Sequence, residues 1–229
     1  MKDRFDVFET SKDGTLVKMP VRVRNAVSAP EREELARALD AVPWTLLHDA
    51  YGPAVDVPVH LYSAALGQAD TRAAAWWELW GNVHHQGTVY EASVHAVPFV
   101  AAIASDPKHT DRVQALSFLR ELAVGSGQHA PAVRHAVRPF AEALLAGAPT
   151  EPPLIQQALV WLLSAFPSRV SEHPGLGRLV PASLRDGWTE VLERVRTRHE
   201  DRAYDEKDDA WFDRQQELEQ WALAGWVEL

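Results

Sequence analysis

From about residue 28 onward, apolar residues recur at helical spacing, and helix-opening and helix-closing signals separate the runs. Ser28, Pro30 and Glu31 predict an N-cap, an early-turn proline and a capping box, with a helix running to about Ala41. Asp56 and Pro58 open a second helix that ends at Gly67. Asp70 caps a third, in which Ala74 and Trp77, and Ala73, Trp76 and Trp80, fall at helical spacing before Gly81 and Asn82 stop it. Thr88 and Glu91 read as a capping box opening a fourth helix, to about Ser105. Thr110 or Asp111 caps a fifth, which runs to Ala123 and closes at Gly125. A sixth covers 131–146 and a seventh 153–165. Ser183 caps an eighth, with Leu184, Trp188, Val191, Leu192 and Val195 on one stripe. A last amphipathic segment carries Trp211, Leu218, Trp221 and Ala222.

Residues 1–27 follow another rhythm. Phe5, Val7 and Phe8, then a turn at Asp13 and Gly14, then an alternating stretch from Leu16 to Val23 predict a β-hairpin, with Pro20 on an edge. The expected domains are therefore a hairpin extension over 1–27 and one helical domain over 28–229, acidic from about residue 183.

Helix starts near Asp70, Asp111 and Pro153 lie 41 and 42 residues apart. The string His95-Ala96-Val97-Pro98-Phe99 returns as His135-Ala136-Val137-Arg138-Pro139-Phe140, with one insertion. Two helices per unit at a period of about 40–47 residues is the mark of HEAT/armadillo-type solenoids. The predicted fold is thus all-α: about four stacked helical hairpins, a small N-terminal β-hairpin and a C-terminal capping helix. Pro98 and Pro139 either kink helices at equivalent places or mark late helix starts.

Charge narrows the function. Against 23 Lys and Arg stand 32 Asp and Glu, a net charge of -9. The surplus argues against nucleic acid as a partner, because phosphates must be neutralised by basic groups. Cysteine is absent, which excludes disulfides, thiolate nucleophiles and cysteine-ligated metals. The first residues alternate charge with apolar groups, unlike a signal peptide. The longest apolar run, 96–104, is about half a membrane span and holds Pro98. A cytoplasmic protein off the membrane is expected; the sequence sets no oligomeric state.

The stretch Trp77-Glu78-Leu79-Trp80-Gly81-Asn82, followed by His85-Gln86-Gly87-Thr88-Val89-Tyr90-Glu91-Ala92 and Ala96-Val97-Pro98-Phe99, carries a resemblance. So does Tyr51-Gly52-Pro53-Ala54 with Asp56-Val57-Pro58 upstream. Over about residues 43–147 the chain resembles a group of bacterial, mainly actinobacterial, HEAT-like repeat proteins. The resemblance implies a helical-repeat fold and no reaction.

Candidate chemistry gathers at the loop joining the third and fourth helices. Trp77, Trp80, Tyr90 and Phe99 are expected to form an aromatic core around it, with Asn82 and Gln86 bonding its backbone. The functional alternative is a rim loop that uses Trp77, Trp80, His85, Gln86 and Tyr90 to bind a ligand or partner. His84, His85, Glu91 and His95 can be drawn as a metal site, but no His-Glu-x-x-His is present and Glu91 serves better as a cap, so no metal and no cofactor is expected. No nucleophile motif or phosphate loop occurs. His48 and Asp49, read as helical neighbours, point in different directions. Alkylpurine DNA glycosylases of the HEAT-like type need aromatics, which Trp76, Trp77, Trp80 and Trp161 could supply, but they also need a basic groove. Residues 31–183 carry 10 positive and 15 negative charges, so this reading ranks last.

The charge run holding Glu200, Asp201, Asp208 and Asp209, with Trp221 beyond it, reads as a solvated segment or as an acidic face for a basic partner. Trp77, Trp80, Trp161 and Trp188 fall on repeat faces that are expected to be buried. The expected function is a non-catalytic scaffold that binds another protein, with an immunity- or antitoxin-like inhibitor of a basic partner as the narrower version. An enzyme or accessory factor with a pocket near the loop is the alternative.

Overall fold

The computed structural model describes residues 6–10, 16–20, 28–197 and 209–223. It is predominantly helical, an all-α chain. The α-helices are α1 (Ala29–Asp40), α2 (Val57–Leu66), α3 (Ala69–Asn82), α4 (Glu91–Ser105), α5 (Arg112–Val124), α6 (Ala130–Gly147), α7 (Pro153–Ser164), α8 (Pro174–Gly177), α9 (Arg185–Thr197) and α10 (Asp209–Ala222). Strands β1 (Asp6–Thr10) and β2 (Leu16–Pro20) pair antiparallel, with Val7 opposite Met19. The expected turn at Asp13 and Gly14 lies outside the described residues. A second, smaller pair joins β3 (His84–His85) to β4 (Thr88–Val89). Among the described residues no helix is long and apolar enough to cross a membrane.

Local signals placed most helices within a few residues. Ser28 and Glu31 form a full capping box on α1, and Gly67 ends α2. Pro98 and Pro139 both sit inside their helices, α4 and α6. Their side chains point to solvent, where the lost hydrogen bond is cheapest. The expected box of Thr88 and Glu91 is not what opens α4. Thr88 is drawn into β4, and the Ser93 hydroxyl accepts the Tyr90 N–H at 2.7 Å while donating to the Val83 carbonyl at 2.5 Å. A buried hydroxyl satisfying two backbone groups replaces the exposed box. Between α7 and α9 the chain forms a 3-10 turn (Pro167–Glu172) and the short α8.

Two compact units arise: Met1–Val100 with Ser126–Ala130, and Ala101–Gly125 with Pro131–Leu229. In the first, α2 packs along α3. The buried stripe of α3 is Arg72, Ala75, Trp76, Leu79, continued by Val83. This spacing decides the tryptophans. Trp76 falls on the stripe and is 5% exposed; Trp77, about 100° further round the helix, is 78% exposed. The expected burial of Trp77 is therefore overturned. Trp44 also joins this core. Its indole N–H donates to the Leu39 carbonyl at 2.8 Å, and its ring meets His95 and Phe99.

In the second unit α5 packs on α7, burying Leu116, Phe118, Leu119, Leu159, Trp161 and Leu162 completely or nearly so. Arg112 donates to the Ala104 carbonyl at 2.9 Å and grips Glu151 with two further bonds. Arg72, forty residues earlier, likewise donates to the Gly67 carbonyl at 3.1 Å. Each arginine ties the start of one helix to the end of the helix before it. The buried Arg120 guanidinium lies 4.0 Å over the Trp161 ring and reaches Ser164. Trp161 and Trp188 are buried, as their stripes require. Helix α10 rests on α7 and α9, and its Leu218 and Ala222, with Leu223 just beyond, are buried. Arg214 of α10 pairs with Glu190 of α9 at 2.8 Å.

Candidate functional site

Every described residue of the predicted loop site belongs to the first unit, but the loop is a β-hairpin. Gln86 and Gly87 occupy its two central positions at φ 49° and 78°. Two successive left-handed residues make the primed turn whose twist matches paired strands. Gln86 carries a β-carbon into a region that disfavours it by about 1–2 kcal/mol. The strand pairing of His84 with Val89 and of His85 with Thr88 holds it there. The segment after α5 clamps the hairpin from outside. Ser126 donates its N–H to the Gly87 carbonyl at 2.8 Å and accepts the Val89 N–H at 3.0 Å. Gly127, at φ 96°, follows so closely that a β-carbon there would lie 3.1 Å from the Thr88 methyl.

The imidazoles and aromatic rings divide into pairs. Tyr51 meets His85 edge-on, its hydroxyl 3.3 Å from Nδ1. His84 is buried under the edge of Trp80, with centroids 5.3 Å apart. His95 faces Trp44, and His48 lies 3.9 Å from Glu91. The four side chains drawn as a metal site, His84, His85, Glu91 and His95, thus each turn to a different partner. Among the described residues no group of three or more His, Asp or Glu is placed to hold a metal ion.

His48 and Asp49 are not helical. His48 bridges to Pro53, and Asp49 folds its carboxylate back onto the N–H groups of Tyr51 and Gly52 at 2.8 and 3.1 Å. That aspartate turn holds Tyr51 outward, 72% exposed. The Ala50 N–H bonds to the Asn82 carbonyl at 2.9 Å, fixing the loop against the end of α3.

Electrostatics links these pieces. His60, half-buried on α2, is held below the usual imidazole range by desolvation, although the carboxylates of Glu78, Asp56 and Asp49 pull the other way. Burial pushes the Tyr90 phenol up, and Tyr51 and Asp49 add to the shift. Both groups therefore stay uncharged near neutral pH. The first unit leaves Trp77, Tyr51, Leu46 at 74% and Val55 at 50% exposed, and Asp49, Asp56 and Glu78 all act on His60.

Of the predicted site residues, Trp77, His85, Gln86 and Tyr90 reach the surface to different degrees, and Trp80 is half-buried against His84. Glu200, Asp201 and Asp208 lie outside the described residues. Asp209 begins α10, and Trp221 is half-buried near its end. Sequence reasoning passed over Leu46, Val55, Asp56, His60 and Glu78. Tyr51, Asp56 and Glu78 stood within quoted motifs, and the aspartate turn at Asp49 was the readable signal for Tyr51. In the second unit a cleft of about 270 Å³ lies among Leu145, Phe166, Arg169 and His173, where Glu142 and Glu172 both hold Arg169.

Comparisons with protein-family models, with curated proteins and with solved structures return no match.

Proposed function

We propose that this chain is a non-catalytic helical-repeat scaffold that binds another protein through the aromatic face of its first unit. One observation carries the reading. Trp77 presents 78% of its surface to solvent on a helix whose next residue towards the N-terminus is core. Large exposed aromatics are costly to leave wet and mark contact surfaces, where tryptophan is the commonest anchor. Leu46, Tyr51 and Val55 add exposed apolar area in the same unit. The rigid hairpin and the aspartate turn supply preorganisation, so little ordering cost remains on binding.

A HEAT-like solenoid belongs to the same proposal. Helices α3, α5 and α7 start at Ala69, Arg112 and Pro153, steps of 43 and 41 residues. Arg72 and Arg112 repeat one bonding role, and Pro98 and Pro139 recur inside alternate helices. These repeats support stacked helical pairs, as does the resemblance of residues 43–147 to bacterial HEAT-like proteins. An inhibitor that covers a partner's working surface, in the manner of immunity proteins and antitoxins, is the narrower form.

The test compares the full chain with Trp77→Ala as bait in lysate of the source organism. A protein retained by the first and lost from the second, at equal thermal midpoints, supports the reading. Retention of the same proteins by both baits overturns it.

A further inference from the structure

We propose that the cleft between α6 and the 3-10 turn Pro167–Glu172 binds a small organic carboxylate, with its apolar body on Phe166 and Leu145 and its charge on the Arg169 guanidinium. This site goes beyond the scaffold reading: it lies in the second unit and does not depend on Trp77.

The make-up of the cleft comes first. Ala141 and Leu145 of α6, with Phe166 after α7, give it an apolar floor of buried residues. The charged groups stand at the rim, where Arg169, Glu142 and Glu172 are 29%, 46% and 53% exposed. An apolar floor with a few charged groups above it is how ligand sites are built. At about 270 Å³ the cleft lies at the small end of their range, so it suits a small molecule.

Bonding at the rim selects the sign of the ligand. Arg169 donates from Nη1 to both oxygens of Glu172, at 2.8 and 2.9 Å, and from Nη2 to Glu142 at 2.8 Å. Glu142 also accepts from Arg138 Nε at 2.9 Å, and both bonds fall on its Oε1. An incoming carboxylate can therefore take the place of Glu142 on Nη2. Glu142 keeps Arg138 on its own helix, Arg169 keeps Glu172, and no charge is stranded. Charge balance points the same way. Residues 134–173 hold Arg134, Arg138 and Arg169 against Glu142, Glu151 and Glu172, and Glu151 is spent on Arg112. Arg134 stands 5.8 Å from the centre of the Phe166 ring. Among these residues three guanidiniums thus face two carboxylates, in a chain whose net charge is -9. A ligand carboxylate evens the count, whereas an amine widens the excess. Arginine also offers a carboxylate two parallel donors, which a point charge does not.

Titration of the full chain with para-fluorophenylacetate, para-fluorobenzoate and their matched amides and amines, followed by fluorine NMR, tests the inference. At least one acid is expected to bind saturably, and its amide and amine to bind about tenfold more weakly, the loss of one charge-assisted contact. Arg169→Gln should weaken the acid by about tenfold as well. Glu142→Gln should strengthen it by about threefold, because a neutral amide competes less well for Nη2. Residues that only shape the cleft would not give opposite signs. Trp77→Ala serves as the control and should leave acid binding unchanged. Should Arg169→Gln fail to fold at the assay temperature, the sign of the Glu142→Gln effect decides alone. No saturable binding by either acid, equal binding of acid and amide, preference for the amine, or weaker binding in Glu142→Gln each overturns the inference. Its failure leaves the scaffold reading standing, since that reading is decided by Trp77→Ala in the lysate.

Discussion

Trp76 and Trp77 are adjacent on α3 and opposite in burial, at 5% and 78% exposure. One residue of helical rotation separates a core side chain from a surface one. Trp76→Ala should therefore lose about 3–5 kcal/mol of stability, as large aromatic truncations in cores do. Trp77→Ala should stay within about 0.5 kcal/mol of the parent. Urea denaturation of the two variants checks the pair, and equal losses would return Trp77 to the core.

Arg112 and Glu151 form a two-bond ion pair at 2.8 and 2.6 Å, with the arginine side chain only 6% exposed. Removing one partner of a buried pair strands the other charge, typically at about 3–5 kcal/mol. Glu151 is 23% exposed, so Arg112→Met should fall at or below the lower end. The hydrogen bonds from Arg112 hold the Glu151 carboxyl below its ordinary range. A lowered carboxyl stabilises the fold above its unfolded pKa of about 4.3 and loses that contribution as pH falls through the folded value. Glu151→Gln should flatten this acid limb in a series of denaturation curves.

Glu219 behaves oppositely. Burial and the nearby Glu121 raise its carboxyl, and Arg120 offsets this only in part. A raised carboxyl favours the folded state at low pH, and the benefit is lost as pH rises through the folded value. At neutral pH the ionised group is a liability. Glu219→Gln should raise the thermal midpoint at pH 7 and leave it little changed in acid. A lower midpoint at neutral pH would contradict the assigned environment.

Gly87 and Gly127 both hold positive φ, at 78° and 96°, but differ in space. Around Gly87 a β-carbon meets nothing within 4 Å, whereas at Gly127 it meets Thr88 at 3.1 Å. Gly87→Ala should cost about 1 kcal/mol from backbone strain alone. Gly127→Ala should cost more, because a contact is added to the strain. Gly87→Asn should recover part of its loss, since asparagine tolerates the left-handed region.

Much of the helical framework was legible along the chain. The capping box at Ser28, the stop at Gly67 and the apolar stripes of α5, α7 and α9 are local features, set by neighbours within about one or two turns. The loop was less legible. The pair Gln86 and Gly87 is a hairpin signal only when flanking residues pair, and His84 to Val89 is too short to show alternation. The box of Thr88 and Glu91 failed because Ser93, buried beneath Val83, offered the backbone a better partner.

The tryptophans divide the two sources of information most clearly. Spacing alone put Trp161 and Trp188 inside, because their stripes are apolar on one side only. On α3 it put Trp77 and Trp80 inside, and Trp77 is exposed: alanines and tryptophans cover most of the circumference, so spacing does not separate Trp76 from Trp77. Packing against α2 chose Trp76, because a helix can bury only the face its neighbour covers. The sequence by itself determined the all-α class, most helix boundaries and the acidic balance, since these follow from local propensity and composition. Which aromatic is exposed and which is core, and which carboxylates act on His60, was decided by the tertiary structure, because those relations join residues from α2, α3 and the loop before α2 that no local rule connects.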